Sequence, residues 1–86
     1  MYYFYVLKSK TTKRFYFGLT SDLKRRIEEH NEGRSRSTKL GRPWALVYYE
    51  AYLSWKDARR RELSVKNYGN VLAHIKKRIP ESIKEV

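Results

Sequence analysis

The stretch YYFYVLKSKTTKRFYFGLT, residues 2–20, places two aromatic and β-branched runs on either side of a polar spacer. Residues 2–7 (YYFYVL) and 14–19 (RFYFGL) have the composition of strands, and KSKTTK that of a connection, so the stretch reads as a β-hairpin. Strand alternation puts Tyr3, Tyr5 and Leu7 on one face of the first strand. It puts Tyr16 and Gly18 together on one face of the second, with Phe15, Phe17 and Leu19 opposite. A turn centred between Lys10 and Thr11 pairs Tyr5 with Tyr16.

Outward from the hairpin, TSDLKRRIEEHNEG predicts a helix from about Asp22 to Glu32. Thr20, Ser21 or Asp22 can cap its start, and Gly33 suits the position just past its end. RSRSTKLGRP (34–43) has the composition of an exposed basic loop, and WALVYYEAY (44–52) that of a third strand. Ser54-Trp55-Lys56-Asp57 resembles a capping box and opens a helix running to about Asn67, broken by Tyr68-Gly69-Asn70. A last short helix, Val71 to Ile79, carries Leu72, Ile75 and Ile79 on one side and stops at Pro80. The order is ββαβαα, an α+β pattern, and the 86 residues are expected to form a single domain, 1–86.

Charge narrows the partner. The chain carries 20 Lys+Arg against 9 Asp+Glu, a formal net charge of +11. Repulsion of that size is most simply offset by a polyanion, with nucleic acid ahead of an anionic membrane surface. The basic groups are clustered: residues 1–21 contain no acid, nor do residues 33–49, which hold Arg34, Arg36, Lys39 and Arg42. Arg59, Arg60 and Arg61 form a further run. Such runs on one short chain point to a phosphate-binding face. The absence of Cys excludes a disulfide framework, a thiolate zinc site and a cysteine nucleophile, and fits a cytoplasmic location. No apolar run is long enough for a membrane span, and the start MYYFYVLKSK lacks the basic segment of a signal peptide.

Several polar residues sit where apolar ones belong. In the first helix Leu23 and Ile27 are apolar, yet the positions that complete their stripe are Arg26 and His30. Either these lie at the edge of the stripe, Arg26 extending to solvent and His30 bonded to a carbonyl, or they form part of a site. In the second long helix Trp55, Ala58 and Val65 define the apolar stripe, and Glu62 falls inside it. A carboxylate facing a core needs a basic partner, a hydrogen-bond network or a metal ion. In a domain that meets phosphates, a divalent cation is a natural occupant beside it.

Tyr5 in the first strand, Tyr16-Phe17-Gly18 in the second, Arg26 and His30 on the next helix and Glu62 on a later one resemble the GIY-YIG nuclease superfamily. The similarity runs over nearly the whole chain. It is closest to the small stand-alone bacterial members, which are similar to the N-terminal nuclease domain of the excinuclease. Where the family's name motif has Gly-Ile-Tyr this chain has Tyr3-Phe4-Tyr5, and Phe17 replaces the middle Ile of the second motif. Leu19 stands where some members have Lys, and neither Asn67 nor Asn70 aligns with the late Asn of many members.

The resemblance implies a small three-stranded antiparallel sheet flanked by helices. It also implies metal-dependent hydrolysis of nucleic-acid phosphodiesters, of DNA before RNA, in repair or recombination. Glu62 would hold one Mg²⁺ or Mn²⁺ against the scissile phosphate, and Arg26 would bind that phosphate and stabilise the developing charge. Tyr5 or Tyr16 would activate or position the attacking water, with His30 assisting or sharing the base role. Arg25, Arg34, Arg36, Lys39, Arg42 and Arg59 would contact the nucleic-acid backbone. The rival is a non-catalytic DNA- or RNA-binding module on the same fold, in which Glu62 is paired with Arg61, Arg26 or another base and holds no metal.

Overall fold

In the computed structural model, which describes residues 1–86, the hairpin is closed by its own polar spacer. The Ser9 hydroxyl accepts from the backbone N–H groups of Thr11 (3.2 Å) and Thr12 (2.9 Å), and Lys13 takes a left-handed conformation (φ 63°). Ser9 N–H then donates to the Arg14 carbonyl at 2.9 Å. This centres the turn between Thr11 and Thr12, one residue later than expected. Tyr5 therefore pairs with Gly18 and Leu7 with Tyr16, correcting the expected Tyr5–Tyr16 pair. A one-residue move of the turn shifts the register by two, so every side chain keeps its expected face.

The strands β1 (Tyr2–Ser9), β2 (Phe15–Thr20) and β3 (Trp44–Tyr52) form an antiparallel sheet in the order β2-β1-β3. The helices are α1 (Leu23–Asn31), α2 (Trp55–Asn67), α3 (Gly69–Arg78) and α4 (Pro80–Lys84). Asp22 caps α1 by accepting from Arg25 N–H, Gly33 follows its end at φ 79°, and Ser54 caps α2. Two boundaries differ from expectation. The break at Tyr68-Gly69-Asn70 narrows to Tyr68, which ends α2 and precedes α3 in one extended residue. Pro80 also does more than stop α3: it occupies the first turn of the additional helix α4, where its missing N–H is no loss.

Each face of the sheet has its own core. On one face, Tyr5, Leu7 and Trp44 pack with Tyr16, Leu46 and the α1 residues Leu23 and Ile27. On the other, Phe4 and Val6 pack with Val65 of α2 and Ile75 of α3. Both faces of β1 are thus covered, which is why Phe4 to Leu7 are all buried. Trp55, expected in the apolar stripe of α2, is 49% exposed; the stripe begins at Ala58 instead. A clamp ties α2 to β3: Arg61 grips both carboxylate oxygens of Glu50 (2.9 and 3.1 Å), and the Tyr48 and Tyr52 hydroxyls donate to the same carboxylate. No helix is long and apolar enough to cross a membrane.

Candidate active site

Strand alternation places Tyr5 and Tyr16 on the α1 face, and the helical spacing of α1 brings Arg26 and His30 over them. The rings form a cluster, with centroids 6.5 Å apart for Tyr5 and Tyr16, 5.9 Å for Tyr5 and His30, and 5.0 Å for Tyr16 and His30. Gly18 makes room for it. A Cβ there would lie 2.5 Å from the Tyr5 hydroxyl, so the phenol lies against bare backbone.

His30 is fully buried and held at both ring nitrogens. Its Nε2 lies 2.9 Å from the Tyr5 hydroxyl and its Nδ1 2.7 Å from the Thr38 hydroxyl. The reading of His30 as an edge residue bonded to a backbone carbonyl does not hold. Burial, reinforced by the Arg26 charge, pushes the imidazole down to about 4, so it is uncharged at neutral pH. Burial likewise pushes the Tyr5 phenol up to about 12, against the opposing pull of Arg26. Tyr16 lines an open cleft of about 320 Å³ between the hairpin turn and the basic loop, shared with Arg14, Phe15, Ser37, Leu40 and Trp44. Its hydroxyl has no protein hydrogen-bond partner and is not buried.

Arg26 lies beside the Tyr5 phenol and donates to Glu29 at 3.1 Å. Burial opposes its charge, but Tyr5 and Glu29 outweigh burial and raise its pKa. Glu62 is buried on α2, and its charge reaches the Tyr5 phenol and raises its pKa. The structure thus brings Tyr5, Tyr16, Arg26 and His30 together from β1, β2 and α1, and Glu62 on α2 reaches them only through its charge. Glu62 is paired with Arg59 and with Lys66 (3.6 Å). Its expected partners are engaged elsewhere, Arg61 with Glu50 and Arg26 with Glu29.

No group of three or more His, Cys, Asp and Glu side chains is gathered as a metal site. A single carboxylate still fits a hard divalent ion that keeps waters and takes phosphate oxygens as further ligands. Glu62 is the side chain that would hold it.

The proposed phosphate contacts separate into two kinds. Arg36 and Lys39 are exposed on the loop with no ion-pair partner, whereas Arg34 pairs with Glu32 (3.3 Å) and Arg42 donates to the Lys39 carbonyl (2.8 Å). Arg25 is exposed beside Glu29 (3.4 Å), and Arg59 is drawn to Glu62. Two supporting residues have no sequence signal. Thr38 lies in a polar loop without periodicity, yet it is buried against His30. Asn31 reads as helix surface, yet its side chain brackets Trp44 by accepting from the Trp44 N–H (2.6 Å) and donating to its carbonyl (3.0 Å).

The family model of the GIY-YIG catalytic domain matches residues 1–72. A UPF0213 protein of Staphylococcus haemolyticus is 38% identical over 68 residues, 78% of this chain and 82% of that protein. One of Staphylococcus saprophyticus is 35% identical over 68 residues, with the same coverage of 78% and 82%. UPF0213 protein YazA of Bacillus subtilis is 36% identical over 62 residues, 71% of this chain and 62% of YazA. No solved structure matches the chain.

Proposed function

Because the chain belongs to the GIY-YIG family of nuclease domains, alongside small stand-alone bacterial members, we propose that it is a divalent-metal-dependent endonuclease that hydrolyses phosphodiester bonds in DNA in preference to RNA. The observation that carries this reading is the cluster of Tyr5, Tyr16, His30 and Arg26 from β1, β2 and α1, with the charge of Glu62 on α2 felt at the Tyr5 phenol.

Hydrolysis needs a positioned water, a proton acceptor and charge stabilisation on the phosphorane. The free Tyr16 hydroxyl holds the water at the cleft. As the water oxygen bonds to phosphorus, its proton passes to the Tyr5 oxygen while the Tyr5 proton passes to His30 Nε2. The bond to the leaving oxygen breaks with its electron pair, and that oxygen takes a proton from solvent. Arg26 binds the nonbridging oxygens and stabilises their growing charge. The phosphate's negative charge also favours the imidazolium that His30 becomes, working against the depression of its pKa by burial. An Mg²⁺ or Mn²⁺ ion at Glu62 would supply Lewis-acid stabilisation of the same charge. Arg36 and Lys39, with Arg34, Arg42 and Arg25, track the backbone to either side; Arg59 would join them if Glu62 held a metal ion. DNA repair or recombination, in the cytoplasm, is the setting this activity fits.

One observation favours the non-catalytic module: Glu62 already has cationic partners in Arg59 and Lys66. Nicking of plasmid DNA with Mg²⁺ or Mn²⁺, stopped by EDTA and lost in Glu62→Ala, decides for the nuclease. Binding without turnover across duplex, branched and single-stranded DNA and RNA decides for the module.

A further inference from the structure

We propose that Thr38 is a positioning residue that holds His30 in its Nδ1–H tautomer, leaving the Nε2 lone pair to receive the Tyr5 proton. The inference rests on the nuclease reading of the same site.

The Tyr5 end of the chain decides this assignment, and the Thr38 end supplies the acceptor that it needs. At one end, the Thr38 hydroxyl has an acceptor for its single proton in the Ser35 carbonyl at 3.4 Å. With its proton turned there, its lone pair faces His30 Nδ1 at 2.7 Å and accepts the Nδ1 hydrogen. At the other end, the Tyr5 hydroxyl has no hydrogen-bond acceptor except His30 Nε2, at 2.9 Å. The guanidinium of Arg26 beside it can only donate. Were Nε2 to carry the proton, the Tyr5 O–H would be a donor without an acceptor in a residue that is 1% exposed. All three residues are buried, and no buried side-chain N or O atom lacks a partner. The opposite tautomer breaks that balance at the Tyr5 end.

Thr38 is itself fixed by its backbone. Its N–H donates to Ser35 (3.2 Å), and its carbonyl accepts from Trp44 Nε1 (2.7 Å) and Gly41 N–H (3.1 Å). The hydroxyl thus reaches His30 from a residue pinned between the basic loop and β3. Without the Thr38 oxygen Nδ1–H has no acceptor, so a fraction of the rings carries its proton on Nε2 and cannot accept from Tyr5.

Proton–nitrogen correlation spectra of the imidazoles in the substrate-free protein test this, with exposed His74 as internal reference. Wild type and Thr38→Ser are expected to show a protonated Nδ1 and a bare Nε2 at His30. Thr38→Val keeps the shape and removes the acceptor; it should admit a measurable Nε2–H fraction and lower kcat for nicking about tenfold or more with KM unchanged. A protonated Nε2 in wild type, a measurement that needs no variant to fold, overturns the proposal. So do unaltered ring nitrogens in Thr38→Val, whatever its kcat. Absence of cleavage by wild type would fall on the nuclease reading alone, since the ring nitrogens are read without substrate.

Discussion

Gly18 lies opposite Tyr5 across the β1–β2 pair, and the Tyr5 ring occupies the space that a side chain at position 18 would need. The Tyr5–His30 hydrogen bond therefore depends on a residue that takes no part in the chemistry. Gly18→Ala should push the phenol off His30 and destabilise the fold by about 1–3 kcal/mol through overpacking. Urea unfolding gives the stability change, and plasmid nicking should fall with it; a variant of wild-type stability and activity would show that Tyr5 has room to move.

Arg26 is the one cation held beside the Tyr5 phenol. Arg26→Ala should lower the nicking rate about 10²–10³-fold, the usual cost of removing a group aimed at developing charge. Arg26→Lys should recover little, because an ammonium cannot grip two phosphate oxygens in parallel. Single-turnover rates at saturating protein separate this effect from weakened binding.

His30 makes stability pH-dependent. Its folded pKa, about 4, lies below the ordinary value of 6.5, so the unfolded chain takes up a proton first as pH falls. Stability is unaffected above about pH 6.5 and declines toward pH 4, by up to about 3 kcal/mol. Thermal unfolding from pH 7.5 to 4.5 should show this slope in wild type and a shallower one in His30→Gln.

Glu50 adds a second acid-sensitive element. Burial works against its charge, but the hydrogen bonds from Tyr48, Tyr52 and Arg61 win and hold its carboxyl below the usual range. Its contribution is present above the unfolded carboxylate pKa of about 4.3 and is lost as pH falls through the folded value. Glu50→Gln leaves Arg61 partly buried without its anion and should cost about 3 kcal/mol near neutral pH. Equal stability of variant and wild type by denaturant titration would rule the clamp out as a support for α2.

Binding should weaken with salt, with a slope in log K against log salt of about −0.9 for each neutralised phosphate of duplex DNA. Replacing Arg36 and Lys39 together by Ala should flatten the slope by about 1.8, since neither has a competing acidic partner. Fluorescence anisotropy across a salt series measures it, and an unaltered slope would move the nucleic acid off this loop.

The aromatic and β-branched runs within residues 2–20 and 44–52 made the three strands legible, because such side chains suit a half-buried pleated surface. Arg26, His30 and Glu62 stood out for a related reason: each is polar at a helical position where packing calls for an apolar side chain. The turn centre, the extra helix after Pro80 and the exposure of Trp55 were not legible. Each is settled by a few local or distant contacts, such as the Ser9 hydroxyl under Thr11 and Thr12.

By itself, then, the sequence determined which strand residues share a face and marked Arg26, His30 and Glu62 as polar at apolar helical positions, since both follow from backbone periodicity. The tertiary structure alone decided what those groups meet. His30 meets Tyr5 from 25 positions away and Thr38 from 8, while Glu62 meets Arg59 and Lys66 on its own helix yet lies near Tyr5. Partners so separated carry no shared periodic signal, and only the packing of α1, α2 and the basic loop around the sheet brings them within reach.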